Sequence, residues 1–301
     1  MSQLFLKFED GKQRTFDAST LDDADKCLEF YRLRNLERWR PVRQSTSASW
    51  GTATHSCLEV YDKALVAGLS SAEAADLTVQ KAIELGEAFR NSDDPARTHE
   101  TLVRAVVWYM AQFEADPLIT AQLPSGKAAI EIRFELPIPN TNLRLSGRID
   151  RLTHLGKGLY PVDRKTTKKT LAAQYWNAFL PGIQIPTYLW ALRQLGFDPE
   201  GFIIEACQTM VSGCRWRRQQ FQVHSDHLKE FEQDVLIGLT QRIAKAHETG
   251  QWERRRSSCT LYGGCQFRDV CNASPSQRHR YLEDRFERVP YTPRPTEESS
   301  E

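Results

Sequence analysis

The chain has 301 residues, 40% of them hydrophobic, enough to bury one large core or two modest ones. Its 40 basic and 39 acidic side chains leave a formal charge of +1, which excludes a global field that attracts nucleic acid, so any such surface has to be local. With early charge in the N-terminal MSQLFLKFEDGK and no apolar run near ~20 residues, neither a signal peptide nor a membrane span is expected. A cytosolic protein is therefore expected, in which seven cysteines point to thiols or a metal rather than disulfides.

In chain order, LFLKFEDGKQRTF alternates apolar and polar residues around Asp10-Gly11, a hairpin signal. A helix is expected from Leu21 to Trp39, with Asp22, Asp23 and Asp25 at its positive end and Pro41 stopping it. Cys27 lies within it and reads as a small buried hydrophobe. A second helical pattern runs from Trp50 to Ala67. There His55 and Glu59, four apart, share a face beside an apolar stripe of Leu58 and Leu65, while Cys57 faces away from His55. Two more helices, Ala72 to Arg90 and Arg97 to Ala115, carry no recognisable chemistry and read as scaffold.

From Ala129, AIEIRFEL alternates strictly and predicts a strand with Ile130, Ile132, Phe134 and Leu136 on its apolar face and Glu131, Arg133 and Glu135 on the other. LRLSGRIDRLTHLGKGLYPVDRKTT then reads as two short strands joined by a Gly-rich turn, with Asp150 near the end of the first and Asp163 closing the second. Period-two alternation puts the Asp163 carboxylate and the Lys165 ammonium on one side. Two carboxylates and a lysine converging at strand ends are what a Mg²⁺-dependent phosphodiesterase needs, because carboxylate oxygens hold hard cations.

A helix from Leu171 to Leu195 is interrupted near Pro181-Gly182, with Gln184 and Tyr188 on one face. GFIIEACQTM and WRRQQFQVH predict two further strands, and His227 to Thr249 an amphipathic helix, so the core is α/β. Near the C-terminus Cys259, Cys265 and Cys271 recur at C-x5-C-x5-C in a Gly-containing segment, three thiols suited to a metal. Cys207 and Cys214 read as core residues. Local basic clusters are Arg32, Arg34, Arg38, Arg40 and Arg43; Lys165, Lys168 and Lys169; Arg215, Arg217 and Arg218; and Arg254 to Arg256. Trp39, Trp176 and Trp216 lie in or near them, as core residues or as platforms for stacked bases. No phosphate-binding G-x-x-x-x-G-K-[ST] occurs, so no ATP motor is visible.

Gly147-Arg148-Ile149-Asp150, then Asp163-Arg164-Lys165-Thr166, then Gln184 with Tyr188 in QIPTY, preceded by Gly51, His55, Leu58 and Glu59, resemble the PD-(D/E)XK nuclease superfamily. The likeness is to its RecB-like branch, which includes iron-sulfur exonucleases of the CRISPR-adaptation, AddB and phage types. It implies a restriction-endonuclease-like mixed sheet flanked by helices, with an N-terminal helical insertion and a C-terminal cysteine-rich segment. Residues 1–289 would be one elaborated domain: 21–127 mostly helical, 128–223 the catalytic α/β core, and 225–285 a C-terminal helix and metal-cluster segment. Residues 290–301, rich in Pro, Glu and Ser, would be a disordered tail.

By the same resemblance Asp150, Asp163, the backbone carbonyl of Arg164 and His55 would bind Mg²⁺ or Mn²⁺. Glu131 is a further acidic candidate, or a surface residue paired across strands. Lys165 would serve catalysis, and Gln184 and Tyr188 would contact the substrate or that lysine. Cys27 stands where the iron-sulfur branch keeps an upstream ligand, so Cys27, Cys259, Cys265 and Cys271 would hold a [4Fe-4S] cluster, with structural Zn²⁺ as the alternative. The expected activity is a metal-dependent DNA exonuclease on single strands or free ends, in recombination, repair or phage DNA processing. It would work in a bacterial cytoplasm, alone or recruited by a helicase or recombination partner, with no membrane. A non-catalytic DNA-binding or recombination-complex module and an endonuclease remain open.

Overall fold

The computed structural model describes residues 14–42 and 46–290. The expected N-terminal hairpin lies outside the described residues except for its end, and so do Arg43 and the tail of 291–301. The elements in chain order begin with β1 (Thr15–Phe16), α1 (Ala18–Lys26) and α2 (Leu28–Tyr31). A π-helical turn, Arg32–Leu36, leads into β2 (Trp39–Pro41). Three longer helices follow, α3 (Thr46–Val66), α4 (Ser71–Gly86) and α5 (His99–Gln112). Next come β3 (Ile119–Thr120), β4 (Ile130–Pro137), β5 (Arg144–Leu155), β6 (Gly158–Thr167), α6 (Ala173–Asn177), α7 (Gln184–Gln194), β7 (Phe202–Met210) and β8 (Gly213–Phe221). The chain closes with α8 (Ser225–Phe231), a π-helical stretch Glu232–Leu239, α9 (Thr240–Thr249), α10 (Arg268–Asn272), α11 (Arg278–Arg285) and β9 (Phe286–Arg288).

Two compact units result. Among the described residues one comprises 14–19 and 46–238, the other 20–42 and 239–290. In the first, seven strands among the described residues form one mixed sheet in the order β1-β5-β6-β7-β8, with β3 and β4 on the remaining edge of β5. β6 and β7 run parallel, and the flanking pairs β5–β6 and β7–β8 are antiparallel. The protein is thus α/β, a mixed central sheet flanked by helices.

Helix α3 forms because Trp50, Ala53, Thr54, Cys57, Leu58, Tyr61 and Ala64 recur at the three- and four-residue spacing of one face, and all are buried. Leu65, expected on that stripe, is 37% exposed, one position off it. α4 and α5 begin on capping boxes, Ser70 with Glu73 and Thr98 with Thr101, which satisfy amides the first turn leaves free. Their apolar faces join α3 in a core that reaches the sheet through Cys207, Cys214 and Trp216. Trp216 donates its indole N–H to Ala105 O at 2.8 Å, so it is a core residue and not a stacking platform.

Three other expectations need correction. The helix Leu21 to Trp39 breaks at Cys27, whose backbone is extended (φ −173°, ψ 123°), because Glu29 N there donates to Glu253 O at 3.2 Å within the second unit. Beyond the π turn, Trp39–Pro41 pair antiparallel with Phe286–Arg288, so Trp39 is a buried strand residue. Asp150 and Asp163 lie inside strands longer than expected, since β5 and β6 continue to a tight turn with Leu155 opposite Gly158. The helix broken near Pro181-Gly182 is, as expected, two helices, α6 and α7.

Candidate active site

The β5–β6 ladder runs from Leu155↔Gly158 to Arg151↔Val162 and stops there. One step further in the same register, Asp150 faces Asp163. On the same edge of β5, β1 takes up pairing only at Arg144 and Leu145. On this edge the stretch between has no strand partner among the described residues, and the two carboxylates stand at its mouth. Asp150 does there what a neighbouring backbone would do: its Oδ2 accepts the Arg164 amide at 3.0 Å. The same oxygen accepts from His55 Nδ1 at 3.1 Å. Helix α3 comes close enough for this because residue 51 is glycine: a Cβ there would sit 3.1 Å from Thr166 Oγ1.

Asp163, 3% exposed, is held by Gln184 Nε2 at 3.0 Å on Oδ1, and Gln184 also donates to the Tyr188 hydroxyl at 3.1 Å. Lys165 Nζ lies 2.6 Å from Asp163 Oδ2, but off the direction a hydrogen bond needs, so that buried oxygen has a charge partner and no directed donor. Burial pushes the Asp163 carboxyl up and, although Lys165 opposes this, the adjacent Asp150 charge adds to the rise. Burial pushes Asp150 up too, but there the hydrogen bond and charge of His55, with the Arg164 amide, outweigh it and hold the carboxyl at about 2. His55 moves oppositely: burial lowers its pKa, the Asp150 hydrogen bond and charge raise it, and the net is upward. Two facing carboxylates pushed apart in this way, one with an oxygen lacking a directed donor, are a donor set that gains from a hard divalent cation. Among the described residues, however, no group of three or more His, Cys, Asp or Glu side chains is set in metal-holding geometry.

Glu131 sits beside this group and pairs with Arg148 Nε at 2.7 Å, across strands. Its φ is +54°, in the left-handed region that a non-glycine residue enters at a cost of roughly 1–3 kcal/mol. Burial raises its carboxyl, and the Asp150 charge adds to this after Arg148 works the other way.

Behind the fork lies an ionic network that sequence reading missed. Arg164, named only for its carbonyl, buries its guanidinium on the opposite face, donating to Asp62 at 2.7 and 3.1 Å, Glu205 at 3.1 Å and the Tyr109 hydroxyl at 2.9 Å. Arg218, partly buried, joins Glu205 to Asp116, so its charge is engaged by acids and is not part of a solvent-facing basic cluster. The signal was available: Asp62 follows His55 by seven, on the same helix face. Lys168 is likewise engaged, with Asp94 at 3.0 Å, and Arg32 with Glu29 at 2.8 Å.

In the second unit Cys27 sits between α1 and α2, its Sγ 3.7 Å from Glu253 O and 3.5 Å from Arg255 N. It lies near the C-terminal thiols: burial raises Cys265, with charge from Cys259 and Cys27 adding. Cys271 is pushed up to about 11 by burial first, with Glu29, Cys265 and Cys27 contributing. None of the four is in a disulfide, and all are partly exposed. Cys57, in the first unit, is fully buried and is pushed up to about 12 by burial, an inert core thiol.

A family model for the PD-(D/E)XK nuclease superfamily matches residues 15–272. Among solved structures, that of the "Putative exonuclease" from Eubacterium rectale aligns with a TM-score of 0.52 at 16% identity, covering 88% of this chain and 90% of that one, which shows a shared fold. A second, SSO0001, covers 88% of this chain and 87% of that one at 12% identity with a TM-score of 0.36, too low to carry weight. No curated protein matches the sequence significantly. Among the described residues no helix is long and apolar enough to cross a membrane.

Proposed function

Because the chain belongs to the PD-(D/E)XK nuclease superfamily, we propose that it is a divalent-metal-dependent deoxyribonuclease. We further propose that it acts as an exonuclease on single-stranded DNA or free ends in recombination, repair or phage DNA processing. The observation that carries this reading is the fork, where Asp150, Asp163, Lys165 and His55 meet at the end of the β5–β6 ladder. Asp150 and Asp163, with His55 and the Arg164 carbonyl, would hold Mg²⁺ or Mn²⁺, and Glu131 would assist. A hard cation there supplies charge that offsets the extra negative charge on the phosphate oxygens in the transition state.

The chain's own groups do the rest. Lys165, 29% exposed and anchored on Asp163, presents an ammonium at the mouth of the fork, where it orients the attacking water and balances phosphate charge. Gln184, bonded to Asp163 and Tyr188 at once, fixes the carboxylate that Lys165 rests on. His55 keeps Asp150 ionised and aimed.

End-labelled single- and double-stranded DNA incubated with the protein in Mn²⁺, with EDTA as control, tests this reading. Progressive shortening is expected, abolished in Asp150→Ala, Asp163→Ala and Lys165→Ala proteins that still fold. Discrete fragments would make the enzyme an endonuclease, and wild-type rates in the folded variants would overturn the assignment.

The second unit would hold a [4Fe-4S] cluster on Cys27, Cys259, Cys265 and Cys271, a reading supported by their shared unit, their mutual charge effects and the absence of disulfides among them. Protein purified without oxygen should be brown with about four irons per chain, and Cys27→Ala should lose colour and thermal stability together while Cys57→Ala keeps both. A colourless protein with one zinc would replace the cluster by structural Zn²⁺.

A further inference from the structure

Register carries the catalytic row beyond the fork. Lys165 on β6 is opposite Ala206 on β7, and Ala206 is opposite Arg217 on β8. Directly paired residues share a sheet face, so Lys165 and Arg217 point to the same side, two strand spacings or about 10 Å apart. The next row on that face reads Thr167, Gln208, Arg215. β8 alternates sharply: Cys214 and Trp216 are buried against the α3–α5 core, whereas Arg215 and Arg217 are exposed. Their neighbours in these rows are Ala206, Gln208 and Thr167, with no carboxylate, and neither arginine has an ion-pair partner among the described residues. Arg164, Arg218, Lys168 and Arg97 are by contrast all engaged by acids. An unpaired Arg-x-Arg on the face of the catalytic lysine is a cationic track for a polyanion.

We propose that Arg215 and Arg217 form a phosphate-backbone subsite for the DNA strand, beginning about 10 Å from the phosphate that the fork would hold. This rests on the nuclease reading. The small Ala206 leaves the row between the two cations low, and the guanidinium forks suit bidentate phosphate contacts. Charge on an edge strand also deters pairing with other chains. Protection of that kind predicts aggregation on substitution and no change in affinity for DNA.

The test compares wild type with Arg215→Gln/Arg217→Gln by fluorescence anisotropy of a labelled oligothymidylate in Ca²⁺ across a salt series. Two lost single-strand phosphate contacts should flatten the plot of log K against log salt by about 1.4, at 0.7 per contact. A Lys229→Gln/Lys245→Gln protein, with the same charge removed at other exposed positions, should keep the wild-type slope. Turnover of bis(p-nitrophenyl) phosphate in Mn²⁺, a diester too short to span 10 Å, should be unchanged in the arginine variant. An unaltered salt slope, an equal flattening in the lysine control, or a parallel fall in small-diester turnover would overturn the subsite. Failure of the nuclease reading would show separately, as wild-type protein that hydrolyses neither diester nor DNA.

Discussion

Replacing Asp62 by alanine should destabilise the sheet-bearing unit more than any surface change. Asp62 is 2% exposed, Arg164 2% and Glu205 0%, so the carboxylate lost is one of two that neutralise a fully buried guanidinium. Removing one partner of a buried ion pair costs roughly 3–5 kcal/mol, mostly because the other charge is left uncompensated. Here Arg164 keeps Glu205 at 3.1 Å and the Tyr109 hydroxyl at 2.9 Å and loses contacts of 2.7 and 3.1 Å, but the buried Arg151 also loses its 3.4 Å ion pair with the same carboxylate, which places the cost in the middle of that range, about 4 kcal/mol. For a unit of this size each kcal/mol moves Tm by about 2–4 °C, so a fall of about 8–16 °C is expected, with a matching shift in the urea midpoint. The same account requires that Asp62→Leu/Arg164→Met, which removes both charges, lose less than Asp62→Ala alone. A single variant within about 1 kcal/mol of wild type, or a double variant worse than it, would refute the reasoning.

In metal-free protein the His55–Asp150 pair makes stability depend on pH from both sides. Asp150 is depressed from 3.8 to about 2, so its contribution is present above 3.8 and lost as pH falls through about 2. His55 is raised above 6.5, so its contribution is full below 6.5 and lost as pH rises through the raised value. His55→Ala should therefore cost about 2 kcal/mol in urea unfolding between pH ~4 and ~6.5 and less in alkali, and a loss as large in alkali as at pH ~5 would contradict the pairing. Gly147→Ala should destabilise by about 1–3 kcal/mol, because its Cβ would fall 2.4 Å from Phe134 Cζ, on a ring that also packs edge-on against Tyr188. Near-wild-type thermal unfolding of that variant would show that Phe134 can yield.

The order of elements was legible where side chains repeat with a clear period: the stripe of α3, the alternation of β4 and the paired strands after Leu143 all appear close to their expected places. Asp150, Asp163 and Lys165 drew attention by their chemistry and His55, Gln184 and Tyr188 by the family resemblance, and the fold places all six close to the end of the β5–β6 ladder. What could not be read was set by partners distant in sequence. The break at Cys27 depends on Glu253, over two hundred residues away, and a helical pattern takes no account of such a bond. Arg218 looked like a solvent-facing cation, and the side chain of Arg164 drew no reading, because charge alone does not reveal a buried carboxylate waiting on another strand or helix. The stop of the β5–β6 ladder was invisible for a related reason, since it depends on an amide that a side chain captures.

That captured amide bears on how relatives of this protein should be read. A side chain at position 150 that accepts a hydrogen bond closes a gap in the sheet whether or not the protein cuts anything. A descendant that gave up hydrolysis would still be selected to keep Asp or Asn there, so an acid surviving at this position says little about activity. Asparagine is also the replacement of choice for trapping a bound strand, because it keeps the acceptor, and with it the fold of the fork, while removing the charge.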